Sequence, residues 1–403
     1  MAITLLLDLD DTLLNTNLHT FMPAYFQALA DHVCGHVPSD KFLRELIRGV
    51  NRMNENEDPR KTLCEVFDSY FYPALGFPKD ELQEVLDDFY EREFPWLAKH
   101  TARMPDAVEF VDWASAAGFQ IAIATDPLFP IKATYQRLQW AGLDPERFEL
   151  VSAFEEFHFT KAHPAYYAEV LGSLGWQDQP VVMAGNDVHR DIQPAQRLGL
   201  SAFLIGSETA SSSDGRADSG SLVDLRRWLE SADPSAIEPD FKSREATLAI
   251  LSSTPAVLPK FLSALSDDDC RHEPARNDWA MNEIVCHLRD TEREVHAQQV
   301  DQMLTKDDAF VSRPDAAVWA SERNYLNEDV FQALDEFGEA RVALLDKVKN
   351  APEEIWNRRV RHAIFGPSNF AEVMGFAADH DRSHIQQAWQ TAQTFSGKRV
   401  QSP

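Results

Sequence analysis

Several features that mark other protein classes are missing from this sequence of 403 residues. Its four cysteines lie far apart and form no CxxC pair, which argues against a disulfide framework and favours a reducing compartment. Only 38 Lys and Arg residues face 65 Asp and Glu residues, so the formal net charge is −27. Because this surface would repel nucleic acid and anionic lipid, we expect neither as a partner.

Long apolar runs and targeting signals are also missing. No apolar run approaches the length of a membrane span, so no membrane association is expected. The first residues reach Asp8 too soon for a signal peptide and lack its basic segment. We therefore expect a soluble, cytoplasmic protein. Nothing in the sequence indicates the oligomeric state.

What the sequence does contain indicates two domains, since the chain exceeds the usual size of a single core. In the first part, short apolar runs alternate with helical patterns, which predicts a parallel sheet. Strands are predicted at 3–7, 119–124, 148–152, 180–184 and 202–205. The helical stretch 16–98 interrupts this alternation after the first strand, so it is expected to form a cap over the sheet edge.

The second part has no strand signal. Four long helical patterns, near 241–265, 280–304, 328–349 and 369–395, predict an antiparallel four-helix bundle. The predicted domains are therefore 1–232 and 241–395, with a linker at 233–240 and a tail at 396–403. The Ser-rich stretch 207–221 is too poor in apolar residues to pack and is predicted to be a loop.

Acidic residues follow the first predicted strand. Asp8 and Asp10 are separated by one residue, at the strand end where α/β sheets place their ligands. One carboxylate can attack or bind a metal while the other transfers protons. A single Asp-x-Asp could equally be a solvated strand end.

Later strand ends add chemistry to this pair. Thr125 could hold a phosphoryl oxygen, and Lys161 could neutralise charge on a nucleophile and a phosphate. Asp187 and Asp191 follow the next strand and offer carboxylates suited to Mg²⁺. Each residue alone has a structural explanation, such as helix capping for either aspartate. Their placement at successive strand ends favours one shared site.

This ordered series resembles the haloacid dehalogenase superfamily of hydrolases over about residues 1–232. The resemblance implies an α/β fold with a Rossmann-like parallel sheet and an α-helical cap. It implies that Asp8 is the nucleophile, forming an aspartyl-phosphate, and that Asp10 is the acid and base. Thr125 and Lys161 would stabilise the phosphoryl group of a small phosphorylated metabolite. Mg²⁺ would be held by Asp8, the Asp10 carbonyl and the acids of the last motif.

Two positions depart from that family. Its last motif usually begins Gly-Asp, whereas here Asn186 follows Gly185 and Asp187 comes one place later. Either Asp187 binds the metal directly, which we favour, or Asn186 takes the ligand position and weakens binding. Asp191 would bind the metal or its water. Asp126 stands where the family often has Asn, which adds negative charge near the phosphate.

Histidines mark the second domain. His380 and His384 are four residues apart, so both share one face of a helix. If His287 on another helix meets that face, three neutral imidazoles make a metal site with open positions. His296 is nine residues from His287, about half a turn away on a regular helix, and is expected to face elsewhere.

The run from Trp279 to Leu288, together with His380-Asp381-Arg382-Ser383-His384, resembles the DinB-like four-helix-bundle family. This resemblance covers roughly 241–395 and implies a divalent transition metal (Zn, Ni or Fe) at His287, His380 and His384. Cys286 is expected to be a core residue.

The functional hypothesis is Mg²⁺-dependent hydrolysis of a phosphomonoester by the first domain. One alternative is a metal-dependent transferase with a thiol cofactor in the bundle, because the DinB-like resemblance implies it. A second is a sensor or binding protein without catalysis.

Overall fold

The computed structural model describes residues 3–206, 217–276 and 278–399. The chain forms two compact units. The first comprises the residues up to Glu57, Lys61–Val170 and Asp178–Phe241. The second comprises Asp58–Arg60, Leu171–Gln177 and the chain from Lys242 onward. None of the helices in the described ranges is long and apolar enough to cross a membrane.

A parallel six-stranded sheet forms the centre of the first unit, in the order β5-β4-β1-β6-β7-β8, as predicted for the fold class. The strands of this unit are β1 (Thr4–Leu7), β2 (Leu14–Asn15), β3 (Ala102–Arg103), β4 (Gln120–Ile123), β5 (Leu150–Val151), β6 (Val181–Gly185), β7 (Ser201–Ile205) and β8 (Ala217–Gly220). β2 and β3 make a separate antiparallel pair. Strands β1 and β6 are buried throughout, which explains why they are continuous apolar runs.

Strand β8 corrects part of the loop predicted for 207–221. Residues 207–216 lie outside the described residues, but Ala217–Gly220 pairs in parallel with β7 at the sheet edge. Asp218 and Ser219 are exposed. An edge strand of this kind is held by backbone pairing and carries no apolar pattern, so sequence periodicity misses it.

Helices cover the sheet and form a cap. Those of this unit are α1 (Leu18–Val33), α2 (Ser39–Asn54), α3 (Leu63–Leu75), α4 (Lys79–Arg92), α5 (Ala107–Ala116), α6 (Ile131–Ala141), α7 (Pro164–Ser173, which belongs to this unit as far as Val170), α8 (Gln193–Leu198) and α9 (Leu222–Ser231). α1–α4 and the 3₁₀ segment Phe94–His100 build the cap around a core rich in Phe and Tyr. Helix α6 ends at Gly142, whose φ of 85° is the left-handed conformation that favours glycine.

Helices dominate the second unit. They are α10 (Arg244–Ser263), α11 (Asp267–Cys270), α12 (Met281–Thr291), α13 (Ala297–Thr305), α14 (Trp319–Glu322), α15 (Val330–Lys349) and α16 (Phe370–Arg399). A π-helical turn, Glu292–His296, joins α12 to α13. α10 and α12 each pack against α15 and α16, which makes the predicted four-helix bundle. α16 continues to Arg399, into the segment predicted as a tail; 400–403 lie outside the described residues.

The bundle also carries a small sheet, so the prediction that the second part has no strands was wrong. β9 (Ala309–Val311), β10 (Arg359–His362) and β11 (Gly366–Asn369) are ordered β11-β10-β9. Buried and exposed residues alternate along β9 and β10. These strands have three or four residues each, too few for a period of two to stand out in the sequence.

Candidate active site and metal centre

Asp8 lies immediately after β1, at the carboxyl end of the sheet. Its backbone N–H donates to the carbonyl of Ala184 on β6 (2.9 Å), so the paired strands fix its position. Only 5% of Asp8 is exposed. One carboxylate oxygen, Oδ1, accepts from Lys161 Nζ at 2.7 Å, and the other accepts from Thr12 Oγ1 at 3.1 Å. The predicted nucleophile is therefore buried and held at both oxygens.

Lys161 joins Asp8 to Asp191. All three side chains are buried, and the ammonium contacts both carboxylates. Asp191 Oδ2 also accepts the backbone N–H of Asp187 at 2.9 Å. A Cβ at Gly185 would come within 2.3 Å of the Asp191 carboxyl carbon, so this close packing requires glycine. Three residues from separate strand ends thus meet in one buried cluster.

Negative charge exceeds positive charge around Asp8. Burial raises the pKa of Asp8 to about 7; Lys161 opposes this shift, while Asp191 and Asp10 add to it. The pKa of Lys161 is raised, because Asp191 and Asp8 outweigh the burial that disfavours its charge. Buried carboxylates in excess of their cation suit a hard divalent ion, so the donor set around Asp8 and Asp191 fits Mg²⁺.

Asp10 is tied to a residue that the sequence interpretation missed. Its Oδ1 accepts from Thr16 Oγ1 at 2.6 Å, and its Oδ2 accepts from Arg137 Nη1 at 2.5 Å. Arg137, on α6, is almost fully buried, and its guanidinium lies 4.5 Å from the ring centroid of Phe129. A single arginine within a helical pattern gives no sequence signal, because only the fold brings α6 next to the residues that follow β1.

Thr125 and Asp126 follow β4, which pairs with β1 so that Leu7 lies opposite Ile123. Thr125 is buried, and its carbonyl accepts from Ser152 Oγ at 2.6 Å and Tyr166 OH at 2.8 Å. This register places Thr125 at the same sheet end as Asp8.

The added charge of Asp126 has a counterion. Arg190 Nη1 contacts Asp126 Oδ2, and Arg190 Nη2 donates to Asn54 Oδ1 of the cap at 3.1 Å. The backbone N–H of Lys161 donates to Asp126 Oδ1 at 3.2 Å. The pKa of Asp126 is still raised, because burial outweighs Arg190 and Lys161. Asp126 and Arg190 therefore work as a pair, which the sequence interpretation did not foresee.

Asp187 lies beside the cluster and acts as a cap. Its Oδ1 accepts the backbone N–H groups of His189 and Arg190 at 2.7 and 3.1 Å, at the start of the π-helical turn Val188–Ile192. Asn186 and Asp187 are both exposed, whereas Asp191 is buried. Direct coordination of Mg²⁺ by Asp187 stays a prediction, and Asp191 is the acid of this motif that contacts Lys161.

His287, His380 and His384 meet in the second unit. One nitrogen from each lies within 4.8 Å of the others, and Nε2 of His287 is 3.1 Å from Nε2 of His380. Trp279 stacks on His384 with ring centroids 5.6 Å apart. Burial, helped by the neighbouring imidazoles, lowers the pKa of His287 to about 2 and that of His384 to about 3. Neutral imidazoles that converge in this way fit a divalent transition metal.

His296 was predicted to face elsewhere, and this prediction was wrong. Its ring lies edge-on to His380 with centroids 5.5 Å apart, and its Nδ1 is 3.0 Å from Glu292 Oε2. The π-helical turn Glu292–His296 adds a residue to the helix. The nine-residue step from His287 then turns through about 80° instead of about 180°. Cys286 is fully buried, as expected for a core residue.

Buried charged side chains form ion pairs next to the histidines. Arg341, fully buried on α15, donates to both oxygens of Glu292 (2.7 and 2.9 Å) and to Asp381 Oδ2 (2.6 Å). Asp381 Oδ1 lies 3.7 Å from His380 Nδ1. The histidines line a cavity of about 440 Å³, whose other walls include Val295, Phe376 and Arg313.

Comparison with known families agrees with this division of the chain. Residues 4–199 match the haloacid dehalogenase-like hydrolase family, and residues 250–388 match the DinB superfamily. No curated protein matches the chain.

Among solved structures, the chain is similar to a HAD phosphatase from Thermococcus onnurineus (20% identity, 57% of this chain and 98% of that chain, TM-score 0.37). It is also similar to a 2-haloacid dehalogenase from Pseudomonas syringae pv. Tomato DC3000 (20% identity, 57% and 99%, TM-score 0.42). A third is YfiT from Bacillus subtilis, which has an unusual four-helix bundle topology (16% identity, 38% and 88%, TM-score 0.35).

Proposed function

Because the chain joins a haloacid dehalogenase-like hydrolase domain to a DinB superfamily domain, we propose that the first domain hydrolyses a small phosphomonoester with Mg²⁺ as cofactor. The observation that carries this proposal is the cluster in which Lys161 links Asp8 to Asp191, with Asp10 nearby. The carboxylate at position 10 favours phosphoryl transfer over dehalogenation, since it supplies the proton that an alkoxide leaving group needs.

In the first step, the carboxylate of Asp8 attacks phosphorus and the bond to the ester oxygen breaks. Asp10 donates a proton to the departing oxygen, which leaves as an alcohol. In the second step, Asp10 takes a proton from water as the water attacks phosphorus. The bond between Asp8 and phosphorus breaks, and inorganic phosphate is released.

Other residues of the site position these groups and offset charge. Lys161 holds Asp8 Oδ1, and Arg137 and Thr16 hold the two oxygens of Asp10. Thr125 would hold the phosphoryl group from the end of β4. Mg²⁺, when bound by Asp8, the Asp10 carbonyl, Asp187 and Asp191, would neutralise the developing charge on the phosphoryl oxygens.

The test is Mg²⁺-dependent hydrolysis of p-nitrophenyl phosphate by the full chain. Asp8→Asn should abolish turnover, because an amide cannot form the covalent intermediate. The matched control is Asp112→Asn, the same change at a side chain that is 58% exposed. Acid quenching followed by mass spectrometry should detect a phosphorylated peptide containing Asp8 in the wild type only.

Equal turnover by wild type and Asp8→Asn would refute the role of Asp8 as the nucleophile. If no ester is turned over and no phosphorylated peptide is trapped, a binding or sensor role becomes the better hypothesis.

A second candidate function belongs to the bundle, and the convergence of its histidines favours it. We propose that His287, His380 and His384 bind a divalent transition metal (Zn, Ni or Fe) and that the adjacent cavity admits a substrate. Under this alternative proposal, the site would act as a transferase that uses a thiol cofactor.

Metal analysis of purified single His→Ala variants tests the bundle site. Each of the three substitutions should lower the bound metal, whereas His272→Ala, at an exposed histidine of the same unit, should not. Undiminished metal in all three variants would mean that these residues form no metal site.

A further inference from the structure

The cap contains a large apolar cavity that the proposed chemistry does not use. Its volume is about 400 Å³, within the range of small-molecule binding sites. Helices α1–α4 supply most of its wall, and the loop after β4 supplies Leu128, Phe129 and Pro130. Apolar side chains that line it include Leu29, Phe42, Met53 and Phe71, all buried.

The polar side chains of this lining are already occupied by one another or by close neighbours. The hydroxyls of Tyr25 and Tyr90 are 2.9 Å apart and share one hydrogen bond. Tyr72 OH donates to Gln83 Oε1 at 2.9 Å, and Asp68 pairs with Lys79 at 2.6 Å. Few polar groups are therefore left to meet the several hydroxyls of a sugar or nucleoside, which would lose their hydrogen bonds to water on entering. An apolar group can fill the space without such a loss.

Phe129 connects this cavity to the acid and base of the site. Its ring forms part of the cavity wall and lies 4.5 Å from the guanidinium of Arg137. Arg137 in turn pairs with Asp10, the residue that would protonate the leaving oxygen. Thr125 and Asp126 belong to the same loop as Phe129. Arg137 therefore contacts both the cavity wall and the residue that would protonate the leaving oxygen.

We propose that this cavity binds the leaving group and that the substrate is a phosphate monoester of a bulky apolar alcohol, aromatic or branched. This inference rests on the proposed phosphatase function, because the leaving group is defined only if phosphate is transferred to Asp8. The alternative is a polar alcohol such as a sugar, which would leave the cavity unused.

Ile47 offers a way to alter the cavity without disturbing the core. It lines the cavity, yet it is 49% exposed on α2, so a charged residue there can stay hydrated. Leu18 of the same cap is 45% exposed and lies outside the cavity lining, so Leu18→Glu is a matched control. Ile47→Trp narrows the cavity without adding charge.

The experiment measures kcat/KM for 1-naphthyl phosphate and for glycerol 2-phosphate in the full chain with Mg²⁺. Each variant is compared with wild type on the same substrate, so differences in leaving-group acidity cancel. Ile47→Glu and Ile47→Trp should lower kcat/KM for the naphthyl ester by at least about tenfold and leave the glycerol ester within about twofold. Leu18→Glu should change neither.

Equal losses on both esters, or no loss on the naphthyl ester, would overturn the inference while leaving the phosphatase function intact. If wild type hydrolyses neither of these esters nor p-nitrophenyl phosphate and no phosphorylated peptide is trapped, the phosphatase function fails, and naphthalene fluorescence then reports binding of 1-naphthyl phosphate directly. Binding that Ile47→Glu abolishes would still support the cavity as an apolar ligand site. No binding to wild type would refute it.

Discussion

Replacing Arg341 by Met should destabilise the bundle more than any surface substitution on the same helix. Arg341 is fully buried, and it offsets the charges of Glu292 and Asp381, which are also buried. Removal of one partner leaves these carboxylates uncompensated, which costs about 3–5 kcal/mol in comparable buried pairs. The matched control is Lys347→Met, also on α15, whose pair with Asp301 is half-exposed and worth about 0–1 kcal/mol.

Hydrogen exchange measured by mass spectrometry suits this two-unit chain, because it reports the opening free energy of α15 and α16 peptides separately from the first unit. Arg341→Met should lower that free energy by several kcal/mol, and Lys347→Met should leave it almost unchanged. Adding Glu292→Gln and Asp381→Asn to Arg341→Met should recover part of the loss, because neutral amides leave no buried charge. A loss below about 1 kcal/mol for Arg341→Met would refute the reasoning.

Three further substitutions test the two sites. Arg190→Leu should destabilise the first unit by about 1–3 kcal/mol in thermal unfolding, since the partly buried Asp126 loses its cation. Asp126→Asn should restore most of this stability, and no recovery would refute the pairing. Gly185→Ala should lower kcat by at least about 100-fold, because the new Cβ would displace Asp191, and an unchanged kcat would contradict this. Asp381→Asn should weaken metal binding in calorimetric titration by about 10–100-fold, and an unchanged affinity would show that this carboxylate does not orient the adjacent imidazole.

The candidate site was predictable where chemistry coincides with a rule of the fold. Ligand-binding residues of a parallel sheet collect at the carboxyl ends of its strands. Asp8, Thr125 and Lys161, which follow apolar runs, could therefore be assigned to that end of the sheet. Helical geometry alone predicted that His380 and His384 share one face of a helix. Their meeting with His287 needed only the expectation that four amphipathic helices pack together.

Other features follow from contacts between distant residues, which no local pattern encodes. Arg137 reaches Asp10, and Arg190 reaches Asp126, across many residues of intervening chain. Asp187 serves as a helix cap because its carboxylate accepts hydrogen bonds from the backbone N–H groups of His189 and Arg190. That leaves Asp191 as the acid of the motif that is buried against Lys161.

The sequence by itself therefore predicted a capped parallel sheet followed by a four-helix bundle and a set of candidate reactive residues, since periodicity and short spacings are local properties. Only the tertiary structure decided which charges are compensated, where the π-helical turn brings His296 beside His380, and that the cap encloses an apolar cavity. These depend on which surfaces pack together, because burial and electrostatic pairing are properties of the whole fold.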